Sequence, residues 1–386
     1  MGGLGESNDF SGNTLLPGIR VHNDGQSYAY IRNNATWKNF GVPYILTDDL
    51  YVEGPLSPVL TIAPGCSLQF NTGFALLVGN GSSSSSGALI ADGTADSIIV
   101  FTSSAGSPAP GAWDGVTIGQ YASQTQNLLD YCVIDYGVNG LTVNTKPIAV
   151  TNCILRNNSG YGVSCSYTGF TAFAGNTVTD NANYPMTIGV NNVGSLGADN
   201  NFSGNTVPGI RVHGDGQSTA RITTSATWLN HGTPYIMFYE TRVGAASNIT
   251  LTIAPGCSLK FNSGIGLQVG NGSTAAENAT LVAEGTADSH IVFTSSSQSP
   301  TAGAWDGIIL GNDINDGATV MDYCVVEYGG ANAQANIYCT NSSPTISNCT
   351  ITNSSYYGIK APAPGSNPII SAITYLNNAR GDFLGQ

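Results

Sequence analysis

The chain has 386 residues, 41% of them hydrophobic and only 9% charged, with 11 basic against 24 acidic side chains and a formal net charge of −13. That apolar content can build a core, so the low charge does not signal disorder, whereas long amphipathic helices are excluded because their wet faces need Glu, Lys and Arg. So few basic residues cannot form the electropositive footprint a phosphate backbone requires, which excludes nucleic acid as a partner, and no run approaches the roughly 18 apolar residues of a membrane span.

Read in chain order, nearly every segment of the first half returns in the second. Residues 1–6 have neither the basic nor the apolar region of an export signal, so the sequence reads as an exported protein without its signal or as a piece of a longer polypeptide. Gly2-Gly3-Leu4-Gly5 and Phe10-Ser11-Gly12-Asn13-Thr14 return 192 positions later as Gly194-Ser195-Leu196-Gly197 and Phe202-Ser203-Gly204-Asn205-Thr206. Pro17-Gly18-Ile19-Arg20-Val21-His22 returns as Pro208-Gly209-Ile210-Arg211-Val212-His213. Thr61-Ile62-Ala63-Pro64-Gly65-Cys66, Gly111-Ala112-Trp113-Asp114-Gly115 and Asp130-Tyr131-Cys132-Val133 recur in the same way, and the offset drifts to 196 at Asn348-Cys349. Two tandem homologous units are therefore expected, 1–193 and 194–386.

From residue 58 the first unit reads as short β-rich runs divided by Gly, Asn and Ser: 59–62, 67–70, 75–78, 88–91, 98–102 and 116–118. Such runs suit a sandwich or a solenoid. The spacing decides, since Cys132 to Cys153 is 21 residues and Asn152 to Asn176 is 24. A step of about 20–25 residues is one coil of a parallel β-helix, and about sixteen such coils would use the chain. Inward strand positions are then apolar, outward Ser, Thr and Asn bond along the ladder, and Gly and Asn take the positive-φ corners. The predicted fold is all-β, a right-handed parallel β-helix (β-solenoid) built from two tandem units.

The run Trp37…Pro43-Tyr44 leading to Leu60-Thr61-Ile62-Ala63-Pro64-Gly65 is followed by Gly87-Ala88-Leu89-Ile90-Ala91-Asp92-Gly93-Thr94 and Ile99-Val100-Phe101-Thr102-Ser103. Trp113-Asp114-Gly115-Val116 and Leu129-Asp130-Tyr131…Ile134-Asp135-Tyr136-Gly137 complete a pattern that recurs in the second unit. In these blocks the sequence resembles bacterial and archaeal surface proteins with right-handed parallel β-helix repeats, of the pectate-lyase-like superfold. The resemblance implies this fold and an extracellular or cell-surface location. It implies no particular chemistry, because the superfold also carries polysaccharide lyases and hydrolases.

Residues kept in both units are the first candidates for a site. His22 and His213 recur, whereas His231 replaces Phe40 and His290 replaces Ile98. Strand alternation puts Ile19 and Val21 on one face and Arg20 and His22 on the other. Arg20, His22 and Asp24, with Arg211, His213 and Asp215, are thus the candidate proton-transfer or sugar-acid-binding set, against a purely structural outward knot. Trp37, Trp228, Trp113 and Trp305 are the glycan-stacking candidates, against packing. The eight cysteines show no zinc spacing and read as buried thiols or disulfides. Residues 312–317 look acidic enough for Ca2+ but lack EF-hand spacing, so no metal or other cofactor is expected. The leading functional expectation is a structural or adhesive surface module that contacts a polysaccharide or cell-surface glycan, beside neighbouring repeats of a longer parent chain. The alternative is a polysaccharide lyase or glycoside hydrolase acting in a lateral groove.

Overall fold

The computed structural model describes residues 8, 10, 18–23, 25–271 and 277–385. It divides into two compact units, Met1–Ile188 with Ser195–Pro208 and Gly189–Gly194 with Gly209–Gln386. Each is a parallel β-solenoid in which every coil lays down three short strands, and all the pairings between named strands that are described are parallel. Parallel strands in one sheet favour right-handed crossovers, the hand expected of this architecture. One 3-10 turn, Val190–Ser195, is the only helical element among the described residues.

In unit 1 the first sheet runs from Ile19–Val21 through seven strands to Thr177–Thr179, the second starts at Ala29–Ile31, and a six-stranded third runs from Ala35–Trp37 to Ala172–Ala174. Unit 2 repeats the scheme with sheets that start at Ile210–His213, Thr219–Ile222 and Ala226–Trp228. That makes about 14 turns, fewer than a uniform step of about 20–25 residues gives. The reason lies in two long coils in each unit. Ile19 pairs Tyr44 and Val133 pairs Ile154 at ordinary spacing, but Leu68 pairs Phe101 and Ile99 pairs Cys132, each 33 residues apart. The extra residues form the Gly- and Ser-rich loops around 79–87 and 104–114.

Alternation follows the pleat. In Ile19–Val21 the two apolar residues are buried and Arg20 is exposed, and Val59–Ile62 buries Leu60 and Ile62 but not Val59 and Thr61. Apolar side chains thus stack coil over coil in a core that includes Leu46, Phe70, Phe101 and Leu155, each fully buried. Phe70 stacks on Trp113 with centroids 4.4 Å apart, and Phe261 stacks on Trp305 at 4.5 Å.

Two corners of the coils between residues 131 and 205 are built alike: a residue in left-handed conformation, followed, except at Gly137, by a residue whose side chain reaches the neighbouring coil. In unit 1 the left-handed residues at one corner are Tyr131, Asn152, Gly175 and Asp199, and at the other Tyr136, Asn157, Asp180 and Gly204. The residues that follow form ladders. Asn158 Oδ1 accepts the Gly137 N–H at 2.8 Å, Asn181 Oδ1 accepts the Asn158 N–H at 3.2 Å, and Asn205 Oδ1 accepts the Asn181 N–H at 3.1 Å. At the other corner Cys153 Sγ accepts from Cys132 N–H at 3.4 Å, Asn176 Oδ1 from Cys153 N–H at 2.9 Å, and Asn200 Oδ1 from Asn176 N–H at 3.0 Å. Backbone groups turned inward at a corner would otherwise lose hydrogen bonds at a cost of about 1–3 kcal/mol each.

Candidate functional site

The strand alternation around the first candidate set is as expected: Ile19 and Val21 point in, while Arg20 and His22 are exposed. His22 donates from Nδ1 to the Asn23 carbonyl at 2.8 Å. The Asn23 N–H and Nδ2 both donate to the Asp48 carboxylate, at 3.0 and 2.9 Å, which pins this loop to the next coil. Asp24 lies outside the described residues. In unit 2, His213 and Asp215 come together: Nδ1 accepts the Asp215 N–H at 3.1 Å and lies 3.5 Å from Oδ1. An imidazole accepting at Nδ1 carries its proton on Nε2 when neutral. The Arg211 guanidinium sits over the Phe238 ring, 4.4 Å from its centroid. The two histidines therefore engage Nδ1 in opposite senses despite their matching sequence.

All four tryptophans are buried, at 0% exposure for Trp37, Trp113 and Trp305 and 1% for Trp228. No sugar can stack on rings with no exposed face, so the glycan-stacking expectation at Trp37, Trp228, Trp113 and Trp305 gives way to packing. Trp113 and Trp305 donate from Nε1 to the carbonyls of Asp135 and Glu327, at 2.8 and 2.7 Å, which fixes each indole inside its coil. The eight cysteines are free and buried. Burial pushes the Cys66 thiol up to about 11 and the Cys257 and Cys339 thiols to about 12. Cys165 and Cys339 stand, by sequence, where the other unit has buried Ala361 and Val143, consistent with thiols acting as small apolar groups. Among the described residues no cluster of three His, Cys, Asp or Glu is placed to hold a metal ion.

The exposed aromatic chemistry lies elsewhere. In the strand Ala29–Ile31, Ala29 is buried and Tyr30 is turned outward, and Tyr30 pairs in register with Tyr51 of the next coil. Ring centroids are 5.4 Å apart for Tyr30 and Tyr51 and 4.9 Å for Tyr28 and Tyr51. Tyr28 is 40% exposed, and exposed Arg32 lies over the Tyr30 ring, 4.1 Å from its centroid. Partial burial first, then the nearby Asp49 carboxylate, raises the Tyr51 phenol above its ordinary value. Asp49 is itself raised by burial, although it accepts the Ala75 N–H at 2.9 Å. His22, Gln26, Tyr28, Tyr30 and Arg32 line one hollow at the first coil. This patch gathers stacked aromatic faces, a guanidinium and amide donors, the chemistry that binds sugars and their carboxylates.

Comparison between the units hides this patch. Tyr28, Tyr30 and Tyr51 correspond to Thr219, Arg221 and Arg242, so a search for residues kept in both units passes over it. The legible signal is the spacing Tyr28-x-Tyr30 about a buried Ala29, which places both phenols on the outer face. In unit 2 the same register carries charge: Arg221 pairs Arg242, and its Nη1 meets buried Glu277 Oε1 at 2.6 Å.

These coils, ladders and outward patches define an all-β, all-parallel solenoid of the β-helix class. Residues 220–341 match the family model described as pectate-lyase like beta helix domain. No curated protein and no solved structure matches the chain. No helix among the described residues is long and apolar enough to cross a membrane.

Proposed function

We propose that the chain is an extracellular or cell-surface β-helix module, structural and adhesive, that contacts glycans through the Tyr28, Tyr30, Tyr51 and Arg32 patch. The observation that carries this reading is the patch itself: three phenol rings within 6.4 Å of one another, Tyr28 exposed and Tyr28 and Tyr30 lining a hollow, flanked by a guanidinium 4.1 Å from Tyr30. A structural role is supported by the polar side chains that tie coil to coil. Asp130 accepts from Thr151 Oγ1 at 2.6 Å and Asn152 Nδ2 at 2.9 Å, and Asp322 accepts from Ser347 Oγ at 2.7 Å and Asn348 Nδ2 at 2.8 Å. Pectate-lyase-like β-helix domains are often extracellular, which supports the location.

Affinity electrophoresis through gels holding acidic or neutral polysaccharides tests the proposal. At least one polysaccharide is expected to retard the chain, and Tyr30→Ala with Tyr51→Ala to weaken that retention about tenfold or more, a loss of about 1.4 kcal/mol. Equal retention of the variant, or free migration in every gel, would remove the glycan-contact role.

A further inference from the structure

We infer that a hollow of unit 1 around Lys146 binds the sulfate ester of a sulfated polysaccharide, at a place separate from the tyrosine patch.

The hollow, of about 430 Å³, lies among Ser57, Ser86, Gln120, Ser123, Gln124 and Lys146, within the roughly 300–1,000 Å³ of small-ligand sites. Neighbouring loops build it. The Tyr121 N–H donates to the Gly79 carbonyl at 2.9 Å, the Ser123 N–H to the Gly87 carbonyl at 2.8 Å, and the Gly54 N–H to the Ser86 carbonyl at 2.9 Å. Thr145 Oγ1 donates to the Gln120 carbonyl at 3.2 Å and so ties the Lys146 turn to the same wall. Buried Asn127 anchors that wall, donating from Nδ2 to the Ser123 carbonyl at 2.6 Å and accepting the Leu89 N–H at 3.2 Å. At Gly79 the loops come so close that a Cβ would lie 2.3 Å from the Ala122 nitrogen. The walls are thus held before any ligand arrives, which lowers the ordering cost of binding.

Charge points to the ligand. The chain carries a net charge of −13, yet none of the described residues lining the hollow is acidic, and Lys146 is its one charged side chain. Lys146 is half-buried and, among the described residues, pairs with no carboxylate. Such an ammonium attracts an anion, and the surrounding hydroxyls and amides supply neutral donors. A single compact ammonium balances a monoanion, and the planar fork that grips a carboxylate in two places is absent. A sulfate ester carries one charge and three terminal oxygens, whereas a phosphate monoester carries about −1.5 to −2 near pH 7.

Unit 2 lacks these features. Its loop reads Asn312-Asp313-Ile314-Asn315-Asp316 where unit 1 has Gln120-Tyr121-Ala122-Ser123-Gln124, and Ser342 takes the place of Lys146. Asp316, at the position of Gln124, accepts the Ser343 N–H at 2.6 Å. With two carboxylates gained and the lysine gone, this turn repels an anion.

Fluorescence anisotropy of the full chain with labelled dextran sulfate, carboxymethyl dextran and dextran of equal length tests this. Dextran sulfate is expected to bind at least about tenfold more tightly than carboxymethyl dextran, and dextran not measurably. Lys146→Gln, and Gln124→Asp in imitation of unit 2, should each weaken the dextran sulfate complex about tenfold or more, with the urea unfolding midpoint unchanged. Tyr30→Ala with Tyr51→Ala should leave that complex as it is. Undiminished binding by the Lys146→Gln chain overturns the inference, as does preference for carboxymethyl dextran or failure to bind any of the three. Loss in the tyrosine variant alone would move the sulfate to that patch, overturning this site while leaving the glycan-contact reading intact.

Discussion

His231 shows how one position separates the two units. Its ring takes the place of Phe40, and burial lowers its pKa from 6.5 to about 4. A base depressed in the folded state contributes stability that is present above the unfolded value and lost as pH falls through the folded one. His231→Phe is therefore expected to match the wild type in urea unfolding near neutral pH and to exceed it near pH 4.5 (about the lower end of this limb); equal midpoints at both would refute the assignment. The thiols act at the other limb. Cys66, Cys257 and Cys339 rise from 9.0 to about 11, 12 and 12, so their contribution is full below about pH 9 and lost as pH climbs through the raised values. The native chain should resist a thiol reagent at pH 8 to 9 and react at all eight positions once unfolded in urea. Rapid native labelling of Cys66 would contradict its burial.

At the scale of the element, the drift in repeat offset turns out to have a structural cause. Between Gly329 and Ile337 unit 2 has four more residues than unit 1 has between Gly137 and Leu141, and these introduce Asn336. Unit 2 also has Ser354 where unit 1 has the ladder residue Asn158. Asn336 takes over: its Oδ1 accepts the Gly329 N–H at 2.8 Å, and its Nδ2 donates to the carbonyls of Thr352 and Val326 at 2.7 and 3.0 Å. Asn336→Ala is expected to cost about 2–3 kcal/mol by urea denaturation, and Ser354→Ala less than about 1. Equal small costs would mean the ladder is not the tie described here. The corners make a similar demand on glycine. A Cβ at Gly115, with φ of +98°, would sit 1.9 Å from the Asn139 carbonyl oxygen, whereas at Gly73, with φ of +77°, it would meet nothing within 4 Å. Gly73→Ala should cost about 1 kcal/mol and Gly115→Ala about 3 or more.

The same elements show what was legible in sequence. Val59–Ile62, Ser67–Phe70 and Ala75–Val78 form where alternation and flanking Gly and Asn place them. The corner residues could be recognised as turn formers, but not their pairing into ladders, because Asn158 meets Asn181 only through stacking of coils 23 residues apart. The coils number about 14 and not sixteen because loops such as 79–87 add length without adding a strand. The tyrosine patch is not legible from the repeat because its residues change between units, while the tryptophans shared by both units are core.

Across the whole molecule, each unit builds one repeating device, a coil with apolar strands and laddered corners, and varies the outward row most plainly. That row is aromatic at Tyr30 and Tyr51 and cationic at Arg221 and Arg242. A solenoid tolerates such variation because each coil depends mainly on its neighbours. The most direct test follows a retained polysaccharide after incubation with the chain, measuring both binding and polymer length. Retention that depends on Tyr30 and Tyr51, with polymer length and reducing ends unchanged, is the expected result. Shortening of the polymer that disappears in a chain carrying His22→Ala and His213→Ala would contradict a structural, adhesive role and establish an enzyme.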